Sequence, residues 1–262
     1  MNDFKFKKKY GQNFLVDKNI VNKIVSDIVP VSPSLVLEIG CGDGRLTSLL
    51  CQKFDRVLGY EIDIDVKDML YANLASFSNY SIVFSDFLSC DVIDDFDKDF
   101  SNLYVVANLP YYVTTPIIEK LTFLDVPFVL MRFMVQKEVA DRFCAKVGSK
   151  SYGSLTVFLN YHYVIKKDFV VSRNSFYPVP NVDSVVVTFF RRDNKIEVND
   201  IDFFYKLVRD SFRYKRKTLR NNLKDYDLDK VLEVLKNYGF DLSVRAEQLD
   251  VSIFCDISNN LC

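Results

Sequence analysis

Apolar residues first recur at helical spacing. Val16, Ile20, Val21, Ile24, Val25 and Ile28 fall on one face, with Asp17 placed to cap the helix and Pro30 to stop it. The pattern then closes into Leu35-Val36-Leu37, followed by Glu38 and Ile39, which reads as a buried strand. Helical spacing returns at Leu46, Leu49, Leu50 and Phe54. The same exchange continues down the chain. Strands are expected over 56–61, 81–84, 104–107 and 128–135, with a helix marked by Val66, Met69, Leu70 and Leu74. Another helix is expected to be capped by Thr115, with Pro116 at its first position. Helices over 136–147 and 154–163 follow, then two strands near 163–171 and 183–190. This alternation predicts an α/β fold built on a doubly wound, mostly parallel sheet. Residues 191–199 are polar and read as a linker. Beyond 200 the pattern is helical only, with Asp227 as a cap and Gly239 as a stop, so a small all-helical C-terminal domain is expected. The predicted division is 1–192 and 193–262.

Composition narrows the class. At 262 residues the chain has room for one medium and one small domain. It contains no run approaching the roughly 18 apolar residues of a membrane span. The basic N-terminal stretch lacks an apolar core, so no secretory signal is expected. The six cysteines form no C-x-x-C pair and there is one histidine, His162, so no metal site is expected; reduced thiols in a cytoplasmic protein fit better. His162 is expected on a helix packed against the sheet, in a structural role. The net charge of −1 hides an uneven distribution. Residues 5–9 carry four lysines, 86–100 six aspartates against one lysine, and 201–224 eight Lys or Arg against two Asp. Dense basic stretches in a near-neutral chain point to local contact with a polyanion.

The chemistry begins where the first sheet strand ends. Three of the eight glycines, Gly40, Gly42 and Gly44, stand at alternate positions between that strand and the next helix, the arrangement of a nucleotide-binding turn. The spacing is not the G-x-G-x-x-G of a dinucleotide site. Glu38 and Asp43 put carboxylates beside the loop, which suits a cationic ligand such as S-adenosylmethionine better than a pyrophosphate. Ligands of such sheets bind at the carboxyl ends of the strands. There, Glu61 can accept from ribose hydroxyls, Asp86 from an adenine amino group, and Asn108-Leu109-Pro110-Tyr111 follows the next strand. A purine exocyclic amine is a poor nucleophile because its lone pair is delocalised. Asn108 and a carbonyl of the same turn can accept its two N–H bonds and favour a pyramidal nitrogen, while Tyr111 can stack on an extruded base.

These residues, with QNFL at 12–15, EIGCGDGRLT at 38–47, NLPYY at 108–112, QKEVADR at 136–142, SYG at 151–153, SFYPVPNVDS at 175–184, RKTLRNNL at 216–223 and RAEQL at 245–249, make the chain similar to a known family over nearly its whole length. It resembles the small-subunit ribosomal RNA adenine N6,N6-dimethyltransferases. The resemblance implies a Rossmann-like S-adenosylmethionine-dependent methyltransferase domain and a C-terminal helical domain that binds RNA and docks on the ribosome. It implies cofactor contacts at Asn13, Leu15, Gly40, Gly42, Glu61, Ile62, Asp86, Phe87 and Asn108. Catalysis would fall to Asn108, Leu109, Pro110, Tyr111 and Phe176, with the target adenine between Tyr111 and Phe176. RNA contacts are expected at Lys7, Lys8, Lys9, Arg213, Arg216, Lys217 and Arg220.

The implied reaction is dimethylation of two adjacent adenosines in the 3′-terminal hairpin loop of small-subunit rRNA. The expected setting is an immature small subunit in the cytoplasm, met by a monomer without metal or membrane. Three residues depart from the family's common pattern: Cys41 for proline, Tyr112 for asparagine and Asn181 for lysine. Two other readings share features of the chain. One is a large-subunit adenine N6-methyltransferase of the macrolide-resistance type, against which RKTLRNNL and RAEQL speak. The other is an assembly factor acting mainly by binding. A nicotinamide dehydrogenase is opposed by the glycine spacing.

Overall fold

The computed structural model describes residues 13–96, 99–124, 126–193 and 196–262. The chain divides into two compact units, 1–140 with 166–191, and 141–165 with 192–262.

The first unit opens with a two-residue strand β1 (Phe14–Leu15) and helix α1 (Lys18–Val25). Asp17 caps α1 by accepting from the backbone N–H groups of Asn19 and Ile20, and Lys53 Nζ donates to the Val25, Ser26 and Ile28 carbonyls at its far end. β2 (Ser34–Ile39) is buried at all six positions, which explains its apolar run Leu35-Val36-Leu37 and leaves the Glu38 carboxyl inside the protein. α2 (Arg45–Lys53), β3 (Arg56–Glu61), α3 (Lys67–Leu74), β4 (Tyr80–Phe84), β5 (Asn102–Asn108), α4 (Thr114–Phe123), β6 (Leu130–Gln136) and α5 (Lys137–Phe143) continue the alternation. After α6 (Ser154–His162), β7 (Tyr163–Val171), β8 (Phe176–Tyr177) and β9 (Ser184–Arg191) complete the strands.

The main sheet has the order β4-β3-β2-β5-β6-β9-β7. β2 pairs in parallel with both β3 and β5, so the strand order reverses at β2, while β9 runs antiparallel to β6. β1 and β8 form a separate antiparallel ribbon, Phe14 opposite Tyr177 and Leu15 opposite Phe176. Helices α1 and α2 bury Val21, Ile24, Leu46 and Leu50 against Val36, Val57 and Tyr104 of the sheet. Arg132 of β6, 4% exposed, donates to the Ile24 carbonyl, the Asp27 carboxylate and the Thr188 hydroxyl, fastening the end of α1 to the sheet.

The second unit has its own core. α6 packs Val157, Phe158 and Tyr161 with Phe204, Leu207 and Val208 of α7 (Ile201–Ser211). α8 (Leu219–Asn222), α9 (Leu228–Asn237) and α10 (Val251–Leu261) add Leu219, Val231, Leu235, Ile253 and Phe254. This packing draws residues 141–165 into the unit, where the sequence predicted one cut after residue 192. His162, half-buried at the end of α6, reaches α7: its Nε2 is 2.5 Å from the Tyr205 hydroxyl.

Two helix boundaries also differ from expectation. α4 begins at Thr114 with Val113 as its cap residue, because the Thr114 hydroxyl donates back to the Pro110 carbonyl and no side chain caps the helix. α5 ends at Phe143, short of the expected 147; Gly148, at φ +80°, turns the chain and donates its N–H to the Glu247 carbonyl at 2.6 Å.

Candidate functional site

At the carboxyl end of the sheet, where the strand order reverses between β2 and β5, lies an open cleft of about 900 Å³ including its mouth. It is built entirely from the first unit. Of the residues expected from the sequence, Asn13, Leu15, Gly40, Gly42, Glu61, Ile62, Asn108, Leu109, Pro110, Tyr111 and Phe176 all line it. Asp86 and Phe87 do not. They follow β4, one strand outward from Glu61; Asp86 is exposed and accepts from the Leu88 N–H, while Phe87 is buried edge-on against Tyr60 with ring centroids 5.3 Å apart. Lys7, Lys8 and Lys9 lie outside the described residues. Arg213, Arg216, Lys217 and Arg220 lie in the second unit, between α7 and the middle of α8, where all four are exposed together with Tyr214 and Lys215.

The glycine loop comes close to the turn after β5. Gly40 has φ +81°, and a Cβ there would lie 3.7 Å from the Asn108 carbonyl oxygen and 3.8 Å from Pro110 Cδ. The space would hold a methyl group, but the left-handed backbone resists one. The Gly40 N–H is tied to the Tyr60 carbonyl at 2.8 Å, which fixes the loop to β3.

Glu61, 6% exposed, ends β3 and holds the loop from the other side. Its Oε2 accepts from the Gly42 N–H and its Oε1 from the Asp63 N–H, both at 2.8 Å. A carboxylate offers about four acceptor sites, so acceptor capacity remains for a hydroxyl. Burial raises the Glu61 carboxyl above its ordinary range, and the backbone N–H groups of Asp63, Gly42 and Ile62 oppose the shift. Asp43 is raised by burial as well, against the pull of Arg45, whose Nε sits 3.0 Å from its Oδ2. Arg45 also donates to the Leu15 carbonyl at 3.2 Å, joining β1 to the glycine loop.

Asn108 is half-buried at the tip of β5. The Leu109 N–H donates to the Met134 carbonyl, and the Pro110 carbonyl accepts from the Val113 N–H and the Thr114 hydroxyl. The turn is therefore pinned on both sides. The Tyr111 hydroxyl is 2.8 Å from Ser184 Oγ at the start of β9. Burial, chiefly, keeps its phenol above the ordinary value and hence neutral. Phe176 of β8 is 2% exposed and shares a buried cluster with Leu15, Val21 and Ile24.

The lining also includes Glu38 and Asp43, the carboxylates that the sequence puts beside the glycine loop, and Phe14, Val21, Ile24, Cys41, Arg45 and Leu46, none of which the sequence places among the ligand contacts. Phe14 sits between two expected contacts, and a Cβ on Gly42 would come within 3.1 Å of its ring. α1 enters the cleft through Val21 and Ile24, two of the residues whose periodicity marks its buried face. The donor set suits S-adenosylmethionine. Two backbone-tethered carboxylates, a glycine loop open to close approach and a buried Glu38 oxygen without a hydrogen-bond partner among the described residues favour a ligand with cationic and hydroxyl groups.

A family model described as ribosomal RNA adenine dimethylase matches residues 3–262. The chain is 42% identical over 269 residues to the ribosomal RNA small subunit methyltransferase A of Listeria monocytogenes, a match covering 98% of this chain and 91% of the relative. It is 41% identical over 268 residues to the protein of that name from Bacillus mycoides, covering 98% and 92%. Among solved structures it is similar to a dimethyladenosine transferase from Plasmodium falciparum, with a TM-score of 0.80, 28% identity and coverage of 93% and 95% of the two chains. The 23S rRNA methyltransferase ErmE shares the fold at a TM-score of 0.74 and 24% identity, covering 95% and 99%.

Proposed function

We infer that this chain, which belongs to the ribosomal RNA adenine dimethylase family, is an S-adenosylmethionine-dependent methyltransferase that dimethylates N6 of two adjacent adenosines in the 3′-terminal hairpin loop of small-subunit rRNA. The observation that carries the reading is that one cleft is lined both by Gly40, Gly42 and Glu61 and by the whole turn from Asn108 to Tyr111.

S-adenosylmethionine, when bound, supplies an electrophilic methyl group on a sulfonium. Gly40, Gly42 and Asn13 offer backbone and amide groups to its amino-acid end, and Glu61 offers its free acceptor sites to the ribose. Asp86 and Phe87, at the next strand end, are assigned to the adenine. The Asn108 side-chain oxygen accepts from the target amine. A carbonyl accepts through two lone pairs, and both of those on Pro110 are committed to Val113 and Thr114, so the second acceptor is the Leu109 carbonyl. Two acceptors hold the amine pyramidal with its lone pair directed at the methyl group. No strong base is required, because the proton leaves after the nitrogen has become cationic. Alignment and electrostatic stabilisation provide the rate. Tyr111 and Phe176 are the apolar walls for the extruded adenine.

Small-subunit specificity is supported by the name shared by the curated relatives, at 40–42% identity over nearly the whole chain. The basic run from Arg213 to Arg220 supplies phosphate contacts, which give affinity without base readout. We assign the enzyme to an immature small subunit in the cytoplasm, acting as a monomer. The test is incubation with methyl-labelled S-adenosylmethionine and, separately, immature small and large subunits, followed by nucleoside analysis by mass spectrometry. N6,N6-dimethyladenosine in small-subunit RNA is expected. Monomethyladenosine as the end product, or label confined to large-subunit RNA, overturns the assignment.

A further inference from the structure

The cleft holds more acidic groups than its cations balance. Glu38 of β2, Asp43 of the glycine loop and Glu61 of β3 all line it, and Arg45 is the one Lys or Arg among the described lining residues. That guanidinium is engaged with Asp43 and with the Leu15 carbonyl. Glu61 is fixed by two backbone N–H groups. Glu38 is in a different position. It is 1% exposed, and its Oε2 has no hydrogen-bond partner among the described residues. Around it stand the Thr47 hydroxyl and Cys51 of α2, the Cys41 thiol, and the carboxyl groups of Glu61 and Asp43. None of these is a cation. The Cys41 thiol is held well above its ordinary value by burial and the two glutamates, so it stays neutral. From the turn after β5 come Asn108 and the neutral phenol of Tyr111, and from β1 and α1 only Asn13, Phe14, Leu15, Val21 and Ile24.

We propose that Glu38 discriminates between cofactor and product by charge: it holds a proton when no ligand is bound, releases it when net-cationic S-adenosylmethionine binds, and does not release it for neutral S-adenosylhomocysteine. This rests on the cofactor reading above and adds a role to it. A buried carboxylate with no cation beside it is strongly disfavoured. Burial, opposed by the Thr47 hydroxyl and the Cys41 thiol but reinforced by the nearby Glu61 and Asp43 carboxylates, pushes Glu38 up to about 8. S-adenosylmethionine bears a sulfonium, an ammonium and a carboxylate, so it brings the missing positive charge. The product has lost the sulfonium and is neutral overall. Methyl transfer removes the charge that kept Glu38 ionised, and the side chain takes a proton back from solvent. The spent cofactor is thereby bound in an environment no longer matched to a cation, which favours its exchange.

The sign follows from linkage. A ligand that lowers the carboxyl pKa binds more tightly as pH rises toward the ligand-free value, and the dependence flattens above it. S-adenosylmethionine affinity should therefore rise up to about tenfold per pH unit between about pH 6 and 7 and level off above about 8. Product affinity should change much less. Calorimetric titration of the whole protein at about pH 7 in phosphate, HEPES and Tris, buffers of different ionisation enthalpy, counts the protons. About one proton should be released per S-adenosylmethionine and well under half of one per S-adenosylhomocysteine. Glu38→Gln should abolish the difference between the two ligands. An infrared difference spectrum of the wild-type protein reads the same event without a variant, as loss of a protonated-carboxyl band on binding S-adenosylmethionine.

Equal proton counts for the two ligands, or retention of that band, overturns the proposal. Release that persists in a folded Glu38→Gln variant assigns the proton to Asp43 or Glu61 and removes Glu38. If S-adenosylmethionine produces no binding heat in any buffer and no shift in thermal stability, the cofactor reading itself falls, and this inference with it.

Discussion

The Tyr111 hydroxyl and the Ser184 hydroxyl lie 2.8 Å apart, joining the turn after β5 to the first residue of β9. The two belong to separate motifs, NLPYY and SFYPVPNVDS, and the bond makes them one wall. Ser184 is fully buried, so its hydroxyl has little alternative to this partner. Ser184→Ala is expected to destabilise the fold by about 1 kcal/mol, the usual net value of one hydrogen bond. It should lower turnover several-fold by loosening the Tyr111 ring, with cofactor affinity unchanged. Thermal unfolding, calorimetry and single-turnover rates check the three parts. An unchanged rate removes this bond from the positioning of Tyr111.

Glu61 accepts from the Gly42 and Asp63 N–H groups while offering acceptor sites to the cleft. Glu61→Ala is expected to weaken S-adenosylmethionine binding by about 1.5–3 kcal/mol for each charge-assisted hydrogen bond removed, roughly tenfold or more in affinity. Calorimetry on the folded variant measures it. Undiminished affinity would take Glu61 out of the binding site.

For Asn108 the expected split is between chemistry and binding. Asn108→Ala should abolish turnover on ribosomal subunits while retaining most RNA affinity, since phosphate contacts dominate that affinity. A second methylation starts from an amine with one N–H left, so one of the two acceptors has no partner in that round. Asn108→Ser, which keeps a shorter acceptor, should therefore change the ratio of mono- to dimethyladenosine. Mass spectrometry of digested RNA reports both outcomes, and wild-type rates in Asn108→Ala would exclude the acceptor role.

Reversal of charge at Arg213, Arg216 and Arg220 probes the second unit. All three are exposed. RNA binding should weaken, and the slope of log affinity against log salt should fall by roughly 0.7–0.9 for each phosphate that the variant no longer neutralises. Cofactor affinity should not change. A slope as steep as that of the parent would show that these arginines face solvent in the complex.

Much of the site is legible in the sequence because its signals are local. Gly40, Gly42 and Glu61 occur at the ends of short apolar runs, and strand ends are where such sheets bind ligands. β3 over Arg56–Glu61 falls where the pattern places it, since a strand buried at five of six positions has little freedom to be anything else. What is not legible depends on partners distant in sequence. Periodicity shows that α6 has an apolar face but not that Phe204 and Leu207 will cover it, so its place in the helical unit emerges only from the packing. Thr115 next to Pro116 has the composition of a helix start, yet Thr114 turns its hydroxyl back to Pro110 and moves the boundary. Glu38 stands out in the sequence as a carboxylate near a glycine loop. That its Oε2 is buried without a partner among the described residues follows from the packing of α2 over β2.

The β1–β8 ribbon sets an order of events for a growing polypeptide. Leu15 is paired with Phe176, and Val16 with Ser175, so the wall that flanks the glycine loop is made from the first and nearly the last parts of the catalytic unit. Contacts of such high sequence separation form late. On a translating ribosome the glycine loop, Glu61 and the Asn108 turn all emerge well before Phe176, and the first strand must wait for it. A nascent chain therefore carries the glycine loop, Glu61 and the Asn108 turn before it has the partner of its first strand, and the β1–β8 wall of the cleft can form only when synthesis of that unit is almost complete.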